Sequence, residues 1–399
     1  MPGRRRAYAE RDRFDPGEDL DLLRTVGPLT RMGADRSRAG RSIWLATGYD
    51  VVREVLGDHR RFSTRDRYGF RRATDLDGRT RPEELVGNLM DYDPPDHTRL
   101  RRMLAAAFTV RRMQAFAPRI ERIVAERLDA IAAAGPPADL ITEFAWPIPV
   151  TVLSELIGVP RDDRGEFARR AHLRLDFGRS SEERAVAATV LRKYLSALVT
   201  RHRQDPGQDM IGMLVRQHGD ELDDDMLTGI CILLVLAALD NVSGMLGLGA
   251  LLLIEHPDQL AALRERPEII NDAVDEMMRY LSVVHAPTLR VAMADVTVAG
   301  QSISQGDGVI CSIPSANRDR AGIEEPDRFD LTRPPGPHVA FGHGIHHCLG
   351  APLARLEMRI SYLNLIRRFG DLRLAIPSEA VRFRTESPAY GVESLPVTW

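Results

Sequence analysis

Cysteine is scarce in this chain of 399 residues: Cys231, Cys311 and Cys348 are its three thiols. They have no paired spacing, which argues against a disulfide framework and fits a reducing, cytoplasmic setting. Lysine is scarcer still, with Lys193 alone among 54 basic residues. Together with abundant Ala and Gly, that points to a GC-rich bacterial coding sequence and carries no mechanism. A formal net charge of −3 gives no global attraction to nucleic acid. No Cys₄ spacing and no GxGxxG after a strand is present, so the chain carries no iron–sulfur or dinucleotide motif of its own. The opening MPGRRRAYAERDRFDPGED is basic with no apolar stretch behind it, and is expected to be neither a signal peptide nor an anchor. One long apolar run exists, Ile230–Leu239, continuing past Asp240 and Asn241 to Ile254. A transmembrane helix is the rival reading. The Asp-Asn pair at its centre would be costly in lipid, so a buried core helix of a soluble protein, with no membrane partner, is expected.

What is there reads as mainly α with a minor β region. Ile43–Ser63 reads as a strand, a turn and a helix over Tyr49–Leu56. Residues 64–89 are charged and aperiodic, a long loop of the kind that often carries function. From Asp96 to Gln217 the spacing is helical, as in Ile120, Ile123, Val124, Leu128 and Ile131. Ser180 and Glu183 have capping-box spacing. Helices are expected over 223–255, Asp258–Leu263, Ile269–Leu281 and about Leu349–Phe369. The helix-rich part thus spans about 96–281. Tight-turned strands are expected between Arg290 and Ile313 and in short pieces over 380–399. No repeat or linker interrupts the chain, which reads as a single domain, 1–399, and a monomer.

The densest motif is Phe341-Gly-His-Gly344-Ile-His346-His-Cys348-Leu-Gly350-Ala-Pro-Leu-Ala-Arg355. A glycine-rich loop delivers one Cys directly before a helix, whose backbone N–H groups favour a thiolate. Gly344 and Gly350 remove Cβ atoms where a flat ligand would approach the backbone, and Phe341 could shield the sulfur. A buried Cys in a glycine-rich turn explains the same residues. So does zinc held by His343, His346, His347 and Cys348, although no CxxC or distant HxxxH supports it. Three further stretches stand out. Glu276-Met-Met-Arg279 is an i,i+3 pair, weak if exposed. Asp93-Pro-Pro-Asp96-His97-Thr-Arg-Leu-Arg101 opens a helix with His97 and Arg101 on one face. Leu236-Ala237-Ala238-Leu239-Asp240-Asn241-Val242-Ser243 sits inside the apolar helix.

The pattern Phe341-x-x-Gly344-x-His346-x-Cys348-x-Gly350 resembles the haem-binding signature of the cytochrome P450 family, and the other stretches follow in family order over nearly the whole chain. The resemblance implies the P450 fold, with haem b (iron protoporphyrin IX) between the long central helix and the loop, and Cys348 as the metal ligand. It implies that His97, Arg101, Arg290 and His346 hold the haem propionates, as charge-assisted donors do. It implies that Glu276, Arg279 and Arg328 brace the core around the loop, and that Ala237 and Ala238 let the haem lie against the central helix. Asp240 matches the family's acid, but Asn241 stands where the first Thr usually does and Val242 where the second does. A Thr hydroxyl both donates and accepts and so can relay a proton, whereas an amide cannot readily pass one on. Asn241 is either a catalytic group that, with Asp240, organises a water, or a polar plug bonded to its own helix. By resemblance the substrate pocket includes Leu89, Met90, Leu173, Phe177, Val284, Pro287 and Tyr390.

Three functions are open at this stage. The leading one is a monooxygenase hydroxylating or otherwise oxidising a small to mid-sized, largely apolar natural product with O₂ and electrons from a ferredoxin and its reductase. The second is oxidative coupling, desaturation or peroxide-driven oxidation. The third is a non-catalytic haem-binding sensor. Arg99, Arg102, Arg111, Arg112, Arg355 and Arg359 form either a docking face for an acidic ferredoxin or ordinary solvated arginine.

Overall fold

The computed structural model describes residues 11–32, 41–66, 86–284, 288–385 and 387–399. The strands are β1 (Arg11–Asp12), β2 (Asp15–Pro16), β3 (Leu29–Met32), β4 (Ile43–Ala46), β5 (Phe62–Ser63), β6 (Ala138–Asp139), β7 (Thr288–Ala292), β8 (Val296–Val298), β9 (Gln301–Ile303), β10 (Gly308–Cys311), β11 (Arg373–Leu374) and β12 (Pro396–Thr398). The helices are α1 (Glu18–Val26), α2 (Tyr49–Gly57), α3 (Asp96–Ala105), α4 (Val110–Ala134), α5 (Pro147–Ile157), α6 (Arg164–Leu175), α7 (Ser181–Gln204), α8 (Met210–His218), α9 (Asp224–Glu255), α10 (Pro257–Glu265), α11 (Ile270–Leu281), α12 (Ile313–Ala316) and α13 (Ala351–Arg368). The expected helices are present with ends displaced by one or two residues, and the mainly α class with a small sheet region holds. Residues 67–85 of the expected loop, and Pro287 of the expected pocket, lie outside the described residues.

The chain gathers into two compact units, each discontinuous in sequence. The first comprises Met1–Glu84, Met90–Arg99 and Asp275–Cys348. Its sheet has the order β3-β4-β10-β7-β5, with β4 and β10 parallel and the other pairs antiparallel. All four residues of β10 are buried, which is why its sequence shows no alternation. Val52, Val55 and Leu56 of α2 pack with Val309 and Cys311, while Leu20 of α1 packs with Leu45 and Ile310. Asp307 pins the sheet by accepting from the Ser42 N–H and the Trp44 indole. The β8–β9 hairpin turns through Ala299 and Gly300, both at positive φ, as a two-residue turn requires.

The second unit comprises Leu85–Leu89, Leu100–Val274 and Leu349–Trp399. Its centre is α9, 32 residues of uninterrupted helix packed against α5, α7 and α13. By length and composition α9 could cross a membrane. Most of its apolar side chains are buried inside the protein instead: Leu239, Leu246, Leu248, Leu251 and Leu252 are all 0% exposed. The Ser180–Glu183 capping box at the start of α7 forms as its spacing predicts.

Candidate functional site

The cysteine loop is built on buried charge in the first unit. Arg279 donates through Nε and Nη2 to both oxygens of Glu276, at 2.7 and 2.8 Å. Its Nη1 donates to the carbonyls of Asn317 and Pro326. Asn317 in turn accepts from the Val339 N–H through Oδ1, fixing the entry to the loop. Arg328 is not the third member of this cluster. Its side chain is 62% exposed and pairs with Glu325 and Asp330. Arg333 approaches Glu276 instead, at 3.5 Å, and donates to the Glu324 and Glu325 carbonyls. Arg328 supplies only its backbone carbonyl to Arg279.

The loop closes where the Cys348 N–H donates to the Phe341 carbonyl at 2.8 Å. Phe341 is buried and Cys348 exposed. Gly344 has φ +72°, and a Cβ there would lie 2.6 Å from the Leu56 carbonyl oxygen of α2. The glycine is therefore required by α2, a reason sequence reading did not find. Gly350 is the residue before α13. The other two thiols are buried, and desolvation pushes Cys231 and Cys311 up to about 12. Cys348 alone is placed to act as an exposed thiol ligand. His97 and His346, far apart in sequence, are buried with ring centroids 4.2 Å apart. Arg290 is 3% exposed on β7 and donates to the Leu289 carbonyl. Arg101 lies one turn beyond His97 on α3 and is half-buried.

In the second unit α9 is buried on most sides, but Leu233, Leu234, Ala237, Ala238 and Asn241 stay accessible along one face. The Asn241 amide donates to the Ala237 carbonyl at 2.7 Å. Asp240 points elsewhere. Its Oδ1 accepts from Arg384 Nη1 at 2.8 Å and its Oδ2 from the Ser387 hydroxyl at 2.6 Å. Beside it lies a cavity of 650 Å³ whose walls include Trp146, His172, Phe177, Asp240, Ser243 and Phe383. Of the expected pocket residues, Phe177 lines this cavity, whereas Leu173 lines a separate one of 410 Å³ with Val186 and Val190. Tyr390 is 1% exposed and stacks on Phe383, so its ring is packing rather than lining. Leu89 is buried; Met90 and Val284 are half-buried in the first unit. Arg384 and Ser387 were not anticipated, because no motif or periodicity marks that segment.

The model of the family described as cytochrome P450 matches residues 169–375. Cytochrome P450 165B3 of Amycolatopsis orientalis is 50% identical over 392 residues, 98% of each chain. The chain belongs to the cytochrome P450 family. The solved complex of an X-domain with OxyB from teicoplanin biosynthesis is 52% identical to this P450, with TM-score 0.89 and full coverage of both chains. OxyC, implicated in an oxidative C–C coupling reaction during vancomycin biosynthesis, is 43% identical with TM-score 0.89, covering 99% of this chain and 97% of that one.

As a cytochrome P450 the protein is an oxidoreductase of the monooxygenase class, and the family implies a haem cofactor. The residues present fit that group. An exposed thiol, two buried imidazoles in contact and a buried guanidinium are the donors that an iron and two carboxylates call for. An accessible, largely apolar face on α9 with the small residues Ala237 and Ala238 suits a flat apolar ring. Among the described residues no three His, Cys, Asp or Glu side chains converge on a point, so the zinc alternative has no site.

Proposed function

We propose that this P450 makes an oxidative bond within a natural-product precursor of the glycopeptide-antibiotic kind, and that coupling, rather than oxygen insertion, is its outcome. The observation that carries the reading is Asn241. It stands in place of a hydroxyl relay and its amide is engaged with the Ala237 carbonyl of its own helix. StaH from glycopeptide antibiotic A47934 biosynthesis, a solved P450 52% identical to this chain, and OxyC support it. Coupling joins two carbons, or a carbon and an oxygen, with loss of two substrate hydrogens. Those hydrogens, two further electrons and two protons reduce O₂ to two waters. Insertion uses the same reductant but leaves one oxygen atom in the product.

The cofactor in this reading is haem b, ligated by Cys348, with propionates on His97, Arg101, Arg290 and His346; when bound it supplies thiolate-supported activation of dioxygen. Phe341 keeps water from the sulfur. Ala237 and Ala238 give a flat group room, and Asn241, its amide held by the Ala237 carbonyl, presents no hydroxyl relay beside it. Electrons come from a ferredoxin and its reductase, because the sequence carries no iron–sulfur or dinucleotide motif that could feed the haem. An X-domain-like protein is a further candidate partner, on the strength of the OxyB complex. The protein acts as a cytoplasmic monomer and single domain; the two buried, unpaired thiols suit the reducing setting of that reading and do not bear on its other parts.

Reconstitution with a surrogate ferredoxin system under ¹⁸O₂ tests the reading. A product lighter by two hydrogens and free of label is expected. Label in the product would establish insertion, the other function open to this family, for which oxygenases among the relatives speak. Turnover of either kind excludes a sensor. Cys348→Ser is expected to abolish the red-shifted Soret band of the reduced carbon monoxide complex, and a retained thiolate-type band would remove Cys348 as ligand.

A further inference from the structure

The acid of the central helix is tied down from the C-terminal segment. The described residues 383–385 and 387–392 form a hairpin in which Phe383 bridges Val392 and the Arg384 N–H donates to the Gly391 carbonyl at 2.8 Å. Asp240 on α9 is 3% exposed, and each of its carboxylate oxygens takes a different donor from this hairpin, Arg384 Nη1 and the Ser387 hydroxyl. The Ser387 hydroxyl also accepts from the Ala389 N–H, which links the lock to the hairpin backbone. The two backbones come close beside it. A Cβ on Gly244, one turn after Asp240, would lie 2.6 Å from the Tyr390 carbonyl oxygen. A Cβ on Gly391 would lie 2.4 Å from Arg384 Nη2. The first clash is with backbone and could not be relieved without moving the hairpin off the helix; the second is with a side-chain end and could be relieved only by displacing the guanidinium that Asp240 holds, so each glycine makes room for part of the same contact.

We propose that Asp240, Arg384 and Ser387 form a lock that seats the C-terminal hairpin on α9 and sets the shape of the 650 Å³ cavity beside it. The cavity is walled from both sides of this contact, by Asp240 and Ser243 of α9 and by Phe383 and Val392 of the hairpin, with His172 and Phe177 from the α6 end opposite. The charges are unequally buried. Arg384 keeps a quarter of its side chain exposed and Asp240 almost none. Removing Arg384 therefore strands an anion inside the protein, whereas the hairpin can carry a freed arginine into water. The hairpin then lifts and the cavity loses one wall. A carboxylate held by two donors is acceptor-only, so Asp240 acts here as a positioning residue. Trp146, His172, Phe177 and Phe383 make the walls aromatic, which suits a planar ring. That this ring belongs to the substrate rests on the proposed function; the seating of the hairpin does not.

Hydrogen exchange of the 387–392 amides in the holoenzyme, read by mass spectrometry, tests the lock independently of turnover. Arg384→Gln and Asp240→Asn are expected to speed exchange about tenfold or more, and the milder Ser387→Ala by less. Ser243→Ala, on the same cavity wall but outside the lock, should leave exchange unchanged. The charge-swapped Asp240→Arg/Arg384→Asp protein should recover part of the protection. Calorimetric titration with 4-phenylphenol, a neutral two-ring probe, should show several-fold weaker binding in Arg384→Gln and Ser387→Ala, partly restored by the swap. Wild-type exchange in both Arg384→Gln and Asp240→Asn would overturn the lock. Faster exchange with unchanged probe affinity would overturn its control of the cavity. Should the labelled-oxygen experiment instead show insertion, these two results stand or fall on their own.

Discussion

Arg279 meets two kinds of acceptor from a position 3% exposed: the Glu276 carboxylate on its own helix and carbonyls of the segment that leads to the cysteine loop. The i,i+3 spacing was readable in the sequence, but its burial was not, and burial decides its worth. Arg279→Ala leaves the Glu276 carboxylate, itself 5% exposed, without its fork of donors, and should lower stability by about 3–5 kcal/mol. Arg328→Ala, which removes an arginine with a 62% exposed side chain, should change it by no more than about 0.5 kcal/mol. Chemical denaturation midpoints of the two variants check the contrast, and equal losses would restore Arg328 to the brace. Which arginine of a loop turns inward is not written in a periodicity, since loops have none, and Arg333 was for that reason invisible. Gly344 teaches the same point. Its place in the motif was legible, but its neighbour Leu56 comes from a helix almost three hundred residues earlier.

At the scale of elements, the sequence reading did best where the physics is local. Helix periodicity, the Ser180 cap and the turn at Ala299-Gly300 are decided within a few residues, and each formed as expected. Contacts between elements were not legible, and α7 with α8 shows why. His202, in the last turn of α7, has Nδ1 2.9 Å from the Leu198 carbonyl and Nε2 3.0 Å from Asp209, the residue that caps α8 by accepting from the Gly212 N–H. Both partners are acceptors, so both ring nitrogens donate and the imidazolium is the form that fits. Hydrogen bonding to Asp209 holds the His202 pKa above its usual value, against desolvation and Arg201. Burial alone would raise Asp209, but its bonds to His202 and the Gly212 N–H bring it below the usual carboxylate range. The histidine term is fully present below its unfolded value, about 6.5, and fades as pH rises through the higher folded value. The aspartate term is present above about 3.9 and fades as pH falls through its lowered folded value. The latch is therefore strongest between these limits. His202→Gln should lower the melting temperature more near pH 6 than near pH 9, as differential scanning fluorimetry of both proteins would show. A deficit independent of pH would mean the histidine acts through packing alone.

For the molecule as a whole, the question left by a sequence with no iron–sulfur or dinucleotide motif is how electrons reach the haem site. Net charge gives no answer, because −3 on 399 residues steers nothing strongly. Local charge can, and the structure thins the set of arginines that could provide it. Arg112 turns to the Met213 sulfur and Arg359 to the Asn271 side chain, so neither is disposed toward an incoming protein. Arg102, at the end of α3, and Arg111, at the start of α4, are exposed in the second unit, where α13 packs along α4. An acidic ferredoxin approaching these two groups gains from each charge mainly within a Debye length, about 10 Å at 0.1 M salt. Arg102→Glu and Arg111→Glu should each slow first-electron transfer several-fold at low ionic strength, measured by stopped-flow formation of the reduced carbon monoxide complex. The deficit should shrink as salt rises, because screening removes the attraction from the wild-type protein and the repulsion from the variants alike. A rate that ignores both salt and these substitutions would leave Arg102 and Arg111 as solvated surface. Electron delivery would then depend on shape and apolar contact, a distinction the amino-acid sequence of an arginine-rich protein could not make.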